Sequence, residues 1–428
     1  MNEPHTSNPQ GMPNIRASGA QSGSARGAMP SAAVPITWAG SPWSLVGLSI
    51  INFLLGLVTL GIYSFWGKTE VRRRVWSFVR LQGEPLEYTG TGKELFLGFL
   101  IVLGAVFVPM LLFSLAGIFA FGQRAAPVVQ LILYVVVFYL IGVAIYRARN
   151  YRLSRTRWRG IRGALTGSSW GYGWSHFWTA LLVPFTLGWV VPWRATKLQR
   201  RLTDDMNFGD QPFRFSGSSG PLYKRYAIRW FGVIVLSLAT AGAIYLTVGN
   251  KLSKFAAPGT TAGPPKPPQL TNPEIAILVA ILVAAFFIYS IITAWYRASQ
   301  ANIFAAATHY DNAAFRLHVT ARGLIWLFIT NFGILLLGAA ALALIGAWAM
   351  VIIKQFAPVG AHMALVTGYA ALLGLGILKP VVEARATKYF IDRLALDGAV
   401  NWDAVAQSNA AMSRTGEGLA QAFDVDAF

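Results

Sequence analysis

The sequence predicts an all-α, polytopic membrane protein with about six to eight membrane segments, on three observations. First, 55% of the 428 residues are apolar and 12% are charged, against roughly 45–50% and 25% in soluble domains. Second, the 36 Lys and Arg residues fall between long apolar runs instead of being scattered. Third, Trp and Tyr cluster at the ends of those runs, as amphipathic rings do at membrane–water interfaces. An ordinary soluble globule is excluded.

Eight apolar runs are candidate membrane segments, because about 20 apolar residues cross about 30 Å of hydrocarbon. Lys379, near the end of the last run, is the one charge that enters them. The runs are 45–66, 95–121, 128–146, 174–192, 230–248, 275–296, 324–353 and 362–382.

The composition of both ends of the chain predicts solvated tails. Residues 1–36 are rich in Gly, Ser, Ala, Pro and Asn and lack the apolar core of a signal peptide. Residues 401–428 are polar and mildly acidic at their end. We expect no binding motif in either tail, and both termini on the cytoplasmic side of a bacterial inner membrane.

The distribution of positive charge conflicts with a topology in which every apolar segment crosses the membrane once. Lys and Arg number 7 in residues 147–173, which hold no acid, and 8 in residues 193–229. The positive-inside rule places both loops in the cytoplasm, yet 174–192 separates them. We predict that this segment enters and returns as a re-entrant hairpin, broken at Pro184, Gly188 or Pro192. The alternative is a plain span that violates the charge rule.

The chain also contains an internal repeat. Residues 59–96 match residues 186–223 at 10 of 38 positions, beginning with Thr59-Leu60-Gly61 and Thr186-Leu187-Gly188. A weaker third copy includes Leu375-Gly376. We therefore predict repeat 1 over 37–173, repeat 2 over 174–323 and a partial repeat 3 over 324–400. The first segment, 45–66, is re-entrant if the copies share their threading.

These residues resemble the YjgN family of bacterial inner-membrane proteins. The resemblance rests on Thr59–Trp66, Arg72-Arg73-Arg74, Tyr88–Phe96, Tyr146–Asn150 and Trp158–Arg162. It covers about residues 40–405 and implies a polytopic inner-membrane protein from a family without an established molecular function. It supplies no catalytic residue.

Evidence for enzyme chemistry is absent from the sequence, so we predict no enzyme, catalytic residue, cofactor or metal site. The chain has no cysteine, and its 5 histidines lack metal-ligand spacing. Gly90-Thr91-Gly92-Lys93 lacks the flanking residues of a phosphate-binding loop. Nucleic acid is not an expected partner, and the oligomeric state is left open.

Two sets of polar residues are the candidate functional positions. The first set shares a location at the cytoplasmic headgroup level, where anionic lipid attracts cations: Arg72, Arg73, Arg74, Arg147, Arg149, Arg200 and Arg201. These arginines equally fit a role that only fixes topology. Asn52 and Asn331 are predicted inside membrane segments, where they bond helix backbones or coordinate a solute.

Two functions follow as hypotheses. The internal repeat with Gly- and Pro-interrupted segments is typical of transporters, so passage of a small solute is the first. The second is a non-enzymatic membrane organiser that holds anionic lipid or partner proteins through its basic cytoplasmic face.

Overall fold

The computed structural model describes residues 34–256, 270–356 and 362–407. Helices account for 73% of the structure. In chain order they are α1 Leu45–Val58, α2 Ser64–Phe78, α3 Gly92–Val102, α4 Val108–Phe121, α5 Ala126–Arg155, α6 Ser169–Phe185, α7 Val191–Asp204, α8 Gly220–Ala256, α9 Asn272–Ala306, α10 Ala321–Phe356 and α11 His362–Ile391. A single π-helical turn, Leu103–Phe107, joins α3 to α4.

The basic segments between the helices form a β-sheet. All its strand pairs are antiparallel, and its order is β3-β2-β1-β11-β10-β9-β8-β7-β6-β5-β4. The strands are β1 Val34–Trp38, β2 Val79–Leu81, β3 Glu84–Pro85, β4 Glu87–Tyr88, β5 Thr156–Trp158, β6 Ile161–Leu165, β7 Met206–Phe208, β8 Gln211–Phe215, β9 Thr308–Tyr310, β10 Ala313–Leu317 and β11 Leu394–Asp397.

This sheet closes into a barrel. The strands at the two ends of the order, β3 and β4, are separated in the chain only by Leu86. β3 pairs with β2, and the amide of Leu86 continues that ladder by donating to the carbonyl oxygen of Val79. β4 pairs with β5 on the other side. One stretch of chain therefore joins both ends of the sheet, which leaves no open edge strand.

The two ends of the barrel differ. One end carries four tight strand connections, whose backbones reach positive φ at Gln82, Arg159, Gly209 and Asp311. The other end carries the helices, because each helical excursion leaves from one strand and returns to the neighbouring strand. Contacts between helices follow the same order around the barrel, from α1 through α11, α10, α9 and α8 to α7, α6 and α5, while α2 packs on α1 and on α3. The hydroxyl of Tyr151 on α5 donates to Oε2 of Glu94 on α3 at 2.7 Å and joins the two ends of this series.

The barrel interior is apolar and largely filled. Nine of the eleven strands, all but β3 and β4, contribute residues to an internal cavity of about 180 Å³, among them Trp158, Phe208, Phe213 and Tyr310. Trp402 covers this cluster, with its ring 4.9 Å from Trp158 and 5.9 Å from Tyr310. The C-terminal segment after β11 thus closes one end of the barrel, where a solvated tail was expected from residue 401.

Five helices in the described part of the chain are long and apolar enough to cross a membrane. They are Gly92–Phe121, Ala126–Arg155, Gly220–Gly249, Asn272–Ala306 and Ala321–Trp348. The predicted segments 95–121, 128–146, 230–248, 275–296 and 324–353 fall within these helices or their extensions. The side chains of the first half of α11, in the predicted segment 362–382, lie outside the described residues.

The segments 45–66 and 174–192 differ from the five long helices. α1 has 14 residues and α6 has 17, which gives lengths of about 21 and 26 Å, short of the roughly 30 Å that a span needs. Each is followed by a turn and a returning helix. β1 and β2, which flank α1–α2, pair directly, as do β6 and β7, which flank α6–α7. Both helical hairpins therefore begin and end at the barrel.

The structure corrects two expectations. The protein is mostly helical but not all-α, because it also contains eleven short strands in its described part. The sequence did not predict these strands, since the loops that form them carry no long alternating pattern of apolar residues. The N-terminal tail was predicted to run to residue 36, but β1 already begins at Val34. Residues 1–33 lie outside the described part of the chain.

Candidate functional site

The two helical hairpins turn in the same way. Leu60 and Leu187 have φ of 52° and 49°, and Gly61 and Gly188 follow with φ of 88° and 85°. Left-handed backbone favours glycine at the second position, because a Cβ is strained there. Thr59 stabilises the first turn, since its hydroxyl donates to the carbonyl oxygen of Leu55 at 2.8 Å and accepts from the amide of Tyr63 at 2.9 Å.

A cavity lies between the first hairpin and α11, and we call it the groove. Its volume is about 570 Å³. α1 and α2 form one wall and α11 forms the other. The polar lining residues are Ser49, Asn52, Ser64, Lys68, Arg72, Lys379, Glu383 and Thr387; the apolar ones include Phe53, Leu57, Leu60, Val71, Val75 and Pro380.

Two polar atoms of α1 lack partners within the described structure. The side-chain amide nitrogen of Asn52 donates to the carbonyl oxygen of Gly67 at 3.3 Å, which ties α1 to α2. Its carbonyl oxygen Oδ1 and the hydroxyl of Ser49 are both buried without a hydrogen-bond partner. Gly67 permits this approach, because a Cβ there would lie 3.1 Å from Asn52 Cγ. Unpaired buried polar atoms are costly, and both residues line the groove.

Positive charge dominates the middle of the groove. Lys68 and Arg72 stand four residues apart on α2, and therefore on one helix face. Lys379 and Glu383 stand four apart on α11, with Nζ of the lysine 3.7 Å from Oε1 of the glutamate. Three cations face one carboxylate, a formal excess of two positive charges.

The groove becomes apolar toward the tip of the first hairpin. Phe53, Leu57 and Leu60 line that end. Leu60 is 93% exposed and Leu57 is 57% exposed. A large apolar surface left uncovered at a hairpin tip indicates contact with lipid or a partner.

The three consecutive arginines of the first repeat, Arg72, Arg73 and Arg74, make different contacts. Arg72 is buried and lines the groove. Arg73 donates from Nη2 to the carbonyl oxygen of Gly90 at 3.3 Å, so it joins α2 to the start of α3. Arg74 lies 5.8 Å from the ring centre of Phe78. Only Arg72 therefore belongs to the groove.

The other four predicted arginines lie around the second hairpin. Arg147 donates from Nε to the hydroxyl of Ser169 at 3.3 Å. Arg201 donates from Nη1 to the hydroxyl of Ser175 at 2.9 Å. Arg200 repeats the contact of Arg73, because its Nη2 donates to the carbonyl oxygen of a glycine, Gly217, at 2.7 Å. The fourth, Arg149, is on α5 close to Tyr172 of α6.

The predicted pair of intramembrane asparagines is not brought together. Asn52 is in the groove, whereas Asn331 of α10 accepts a hydrogen bond of 2.9 Å from Nε of Arg385 on α11. Nη2 of Arg385 also donates to the hydroxyl of Thr330 at 3.0 Å. The contact between Asn331 and Arg385 joins α10 to α11.

Sequence reasoning missed Lys68, Lys379 and Glu383 as groove residues. The available signal was Lys379, a charge at the end of an apolar segment with a carboxylate four residues later. Nothing in the local pattern indicates that α11 packs against α1, since this contact joins the two ends of the chain.

Comparison with known proteins identifies the family. A family model described as "Bacterial protein of unknown function (DUF898)" matches residues 33–422. The chain belongs to this family. Inner membrane protein YjgN of Salmonella typhimurium (strain LT2) is 38% identical over 55 residues, which are 13% of this chain and 14% of that protein. The predicted resemblance to the YjgN family is confirmed. No solved structure matches the chain.

The description of the family assigns it no function, so a functional proposal depends on the fold and the site. The match to YjgN spans a small part of that protein's length. The name of this relative places that protein in the inner membrane, and the five long apolar helices of this chain fit a membrane protein.

Proposed function

We propose that this DUF898 protein resides in the inner membrane and binds an anionic phospholipid in the groove between α1–α2 and α11. One observation carries the proposal: the groove joins a cationic middle to an apolar end that opens at the hairpin tip. A phospholipid has the matching order of chemistry, a phosphate followed by acyl chains.

The charge of the groove supports the phosphate end. Lys68, Arg72 and Lys379 outnumber Glu383, and cations near an anionic membrane surface gain about 1 kcal/mol each. The unpartnered Oδ1 of Asn52 and hydroxyl of Ser49 suit the hydroxyl groups of a glycerol headgroup. Phe53, Leu57 and Leu60 then supply the apolar surface for an acyl chain.

The threading that accompanies this proposal places the barrel and both termini in the cytoplasm. Strands β5 to β8 come from the two segments richest in Lys and Arg, and the positive-inside rule puts such segments on the cytoplasmic side. The α1–α2 and α6–α7 hairpins then enter the membrane and return, as re-entrant segments covered by neighbouring helices.

We also propose that the hairpins arose by duplication. The positive-φ pair, the threonine-to-carbonyl bonds and the arginine-to-glycine bonds recur 127 residues apart. The hydroxyls of Thr69 and Thr196 repeat the pattern, donating to the carbonyl oxygens of Phe65 and Pro192.

The test uses full-length protein in nanodiscs of phosphatidylcholine with a rising fraction of phosphatidylglycerol, and native mass spectrometry to count retained lipid. We expect the wild type to retain phosphatidylglycerol and Lys68→Gln/Lys379→Gln to bind it about tenfold more weakly or worse, since each charged hydrogen bond contributes about 1.5–3 kcal/mol. Lys197→Gln is the matched control, because this exposed lysine lies on the other hairpin over Trp193. Equal retention by wild type and double variant would contradict the proposal.

Passage of a small solute is the second candidate function. Asn52, with its unpartnered Oδ1 in a cavity next to the Leu60–Gly61 break, is the observation that favours it. Flux of candidate solutes into reconstituted vesicles is the test. We expect Asn52→Leu to abolish it under this hypothesis, while Asn312→Leu, at an exposed position in the turn between β9 and β10, leaves transport in place. Asn331 is unsuitable for this test, since its loss also removes a partner of Arg385.

A further inference from the structure

We propose that the cavity inside the barrel binds a small, planar aromatic molecule that carries one neutral hydrogen-bond acceptor, such as an aryl ketone. The cavity has a volume of about 180 Å³, roughly a third of that of the groove, and the two share no lining residue. This site is therefore independent of the lipid site proposed above.

The wall of the cavity is rich in aromatic rings. Five strands, β5 and β7 to β10, and the segment after β11 contribute six of them: Trp158, Phe208, Phe213, Tyr310, Phe315 and Trp402. The ring of Phe213 lies 4.7 Å from that of Tyr310 and 6.1 Å from that of Phe315. Aromatic rings attract one another at such separations of about 4.5–7 Å. The wall therefore favours a further ring as its ligand.

The volume of the cavity sets the size of that ligand. Protein interiors contain few voids larger than a water molecule. An apolar cavity of about 150 Å³ takes up benzene. The volume of about 180 Å³ thus suits one aromatic ring with a small substituent.

A buried donor in the wall supplies the polar contact. Trp158 is 2% exposed, and its Nε1 is buried without a hydrogen-bond partner among the described residues. The hydroxyl of Tyr310, in contrast, already donates to the carbonyl oxygen of Phe208 at 3.4 Å. A buried tryptophan N–H normally has an acceptor, because an unpaired one is costly. A carbonyl oxygen on the ligand provides that acceptor.

The acceptor is neutral because the wall gives little support to charge. Arg157 and Asn207 also border the cavity, but each precedes an inward-facing ring, Trp158 or Phe208, in its strand. Successive side chains of a strand point to opposite faces of the sheet. Arg157 is thus directed away from the interior, and a carboxylate among the aromatic rings would lack a cation.

The segment after β11 holds Trp402 in the wall. Its backbone is bonded on both sides of this residue: the amide of Asn401 donates to Oδ2 of Asp311 at 3.2 Å, and that of Ala406 donates to Oδ1 of Asp210 at 3.1 Å. The amide of Asp210 donates in return to the carbonyl oxygen of Ala406 at 3.0 Å. These bonds fix Trp402 against Trp158 at one end of the cavity.

The test compares two probes of the same shape. Full-length protein in phosphatidylcholine nanodiscs is titrated with para-fluoroacetophenone, and fluorine NMR separates probe bound to protein from probe in water or lipid. Nanodiscs without protein give the lipid background. The second probe, para-fluoro-α-methylstyrene, carries a methylene group in place of the carbonyl oxygen. We expect a saturable protein-bound signal from para-fluoroacetophenone, and its absence would overturn the proposal.

Trp158→Phe tests the hydrogen bond. We expect the ratio of the two affinities, ketone over alkene, to be at least about threefold lower in this variant than in the wild type, because the donor is lost. The ratio cancels the different partitioning of the two probes into lipid. An equal ratio in both proteins would overturn the assignment of Nε1 as the donor, and with it the proposal.

Leu396→Phe tests the location of the site. Leu396 is 2% exposed and lines the cavity, so a larger ring there takes up the space of the ligand. We expect both probes to bind about tenfold more weakly or worse, and a cooperative thermal transition shows that the variant folds. Wild-type affinity in Leu396→Phe would place the probe elsewhere and overturn the proposal.

Two controls keep wild-type affinity for the ketone. Arg214→Gln changes an exposed residue of β8, next to Phe213 in the strand. Lys68→Gln/Lys379→Gln changes the groove and leaves the cavity intact. Failure of the lipid proposal therefore does not affect this test. Loss of ketone binding in Lys68→Gln/Lys379→Gln would show that the probe occupies the groove and would contradict the cavity as its site.

Discussion

Arg200 donates a hydrogen bond of 2.7 Å from Nη2 to the carbonyl oxygen of Gly217. The contact fastens α7 to the segment between β8 and α8, 17 residues further along the chain. Arg73 makes the same contact with Gly90 at 3.3 Å in the first hairpin. Arg200, for which the sequence left lipid contact and a role in fixing topology open, therefore also anchors the hairpin to the barrel end of the structure.

We predict that Arg200→Gln lowers stability by about 1 kcal/mol, because a charged hydrogen bond is lost at a partly solvated site. The measurement is the thermal unfolding midpoint in detergent. Arg214→Gln is the control, since Arg214 is exposed on β8. An unchanged midpoint in Arg200→Gln, matching the control, would show that the contact does not anchor the hairpin.

The first hairpin turn supplies a second prediction. Gly61 has φ of 88°, and a Cβ built there meets nothing within 4 Å. Backbone strain alone therefore decides the cost of Gly61→Ala, which we expect to be about 1 kcal/mol. Gly47→Ala, in open space inside α1, is the matched control and should be neutral or stabilising by roughly 0.5–1 kcal/mol. Equal thermal midpoints for both variants would contradict the assigned turn geometry.

The arrangement of the barrel predicts which positions share a side of the membrane. The chain has no cysteine, so single variants can be labelled with an impermeant thiol reagent. Gln82→Cys, Ser216→Cys and Asn312→Cys lie at the barrel, and we expect all three to be protected in intact cells. Gln123→Cys, at the connection from α4 to α5, should be labelled from outside.

The opposite pattern of labelling would reverse the orientation and leave the barrel arrangement intact. A mixed pattern among Gln82→Cys, Ser216→Cys and Asn312→Cys would contradict the return of the hairpins to one side.

Ionisation of Tyr310 is expected to lower the stability of the barrel at alkaline pH. Its pKa is raised, first by burial and then by the charges of Asp210 and Asp311. A raised pKa means that the folded state favours the protonated phenol. This contribution to stability is complete below the ordinary tyrosine pKa of about 10 and is lost as the pH rises above it.

We therefore expect the wild type to lose more stability than Tyr310→Phe between about pH 10 and pH 11.5. The measurement is the unfolding midpoint of both proteins across this interval, and their difference isolates Tyr310 from other groups that titrate there. Parallel pH dependence in the two proteins would show that Tyr310 is not held in its neutral form.

Part of the fold followed from local patterns in the sequence. Long apolar runs with aromatic ends gave the helices, because crossing hydrocarbon requires about 20 apolar residues in succession. The high positive charge of both 147–173 and 193–229 predicted that the chain turns back between them. In the structure, β6 and β7, which flank the α6–α7 hairpin, pair with each other. The strands were not predicted because all eleven in the described part of the chain have two to five residues, too few for a periodic signal.

The candidate site depended on contacts that no local pattern contains. Asn52 was predicted inside a membrane segment and Arg72 at the headgroup level, but Lys379 and Glu383 line the same groove only because α11 packs on α1.

The sequence by itself determined that this protein is a helical membrane protein, the family to which it belongs and which segments carry its positive charge. These properties depend on composition and on spacing along the chain. Only the tertiary structure decided that the basic segments close into a barrel and that the helices return to one end of it. Closure joins strands that are distant in sequence through backbone hydrogen bonds, and such bonds leave little trace in the identity of the side chains.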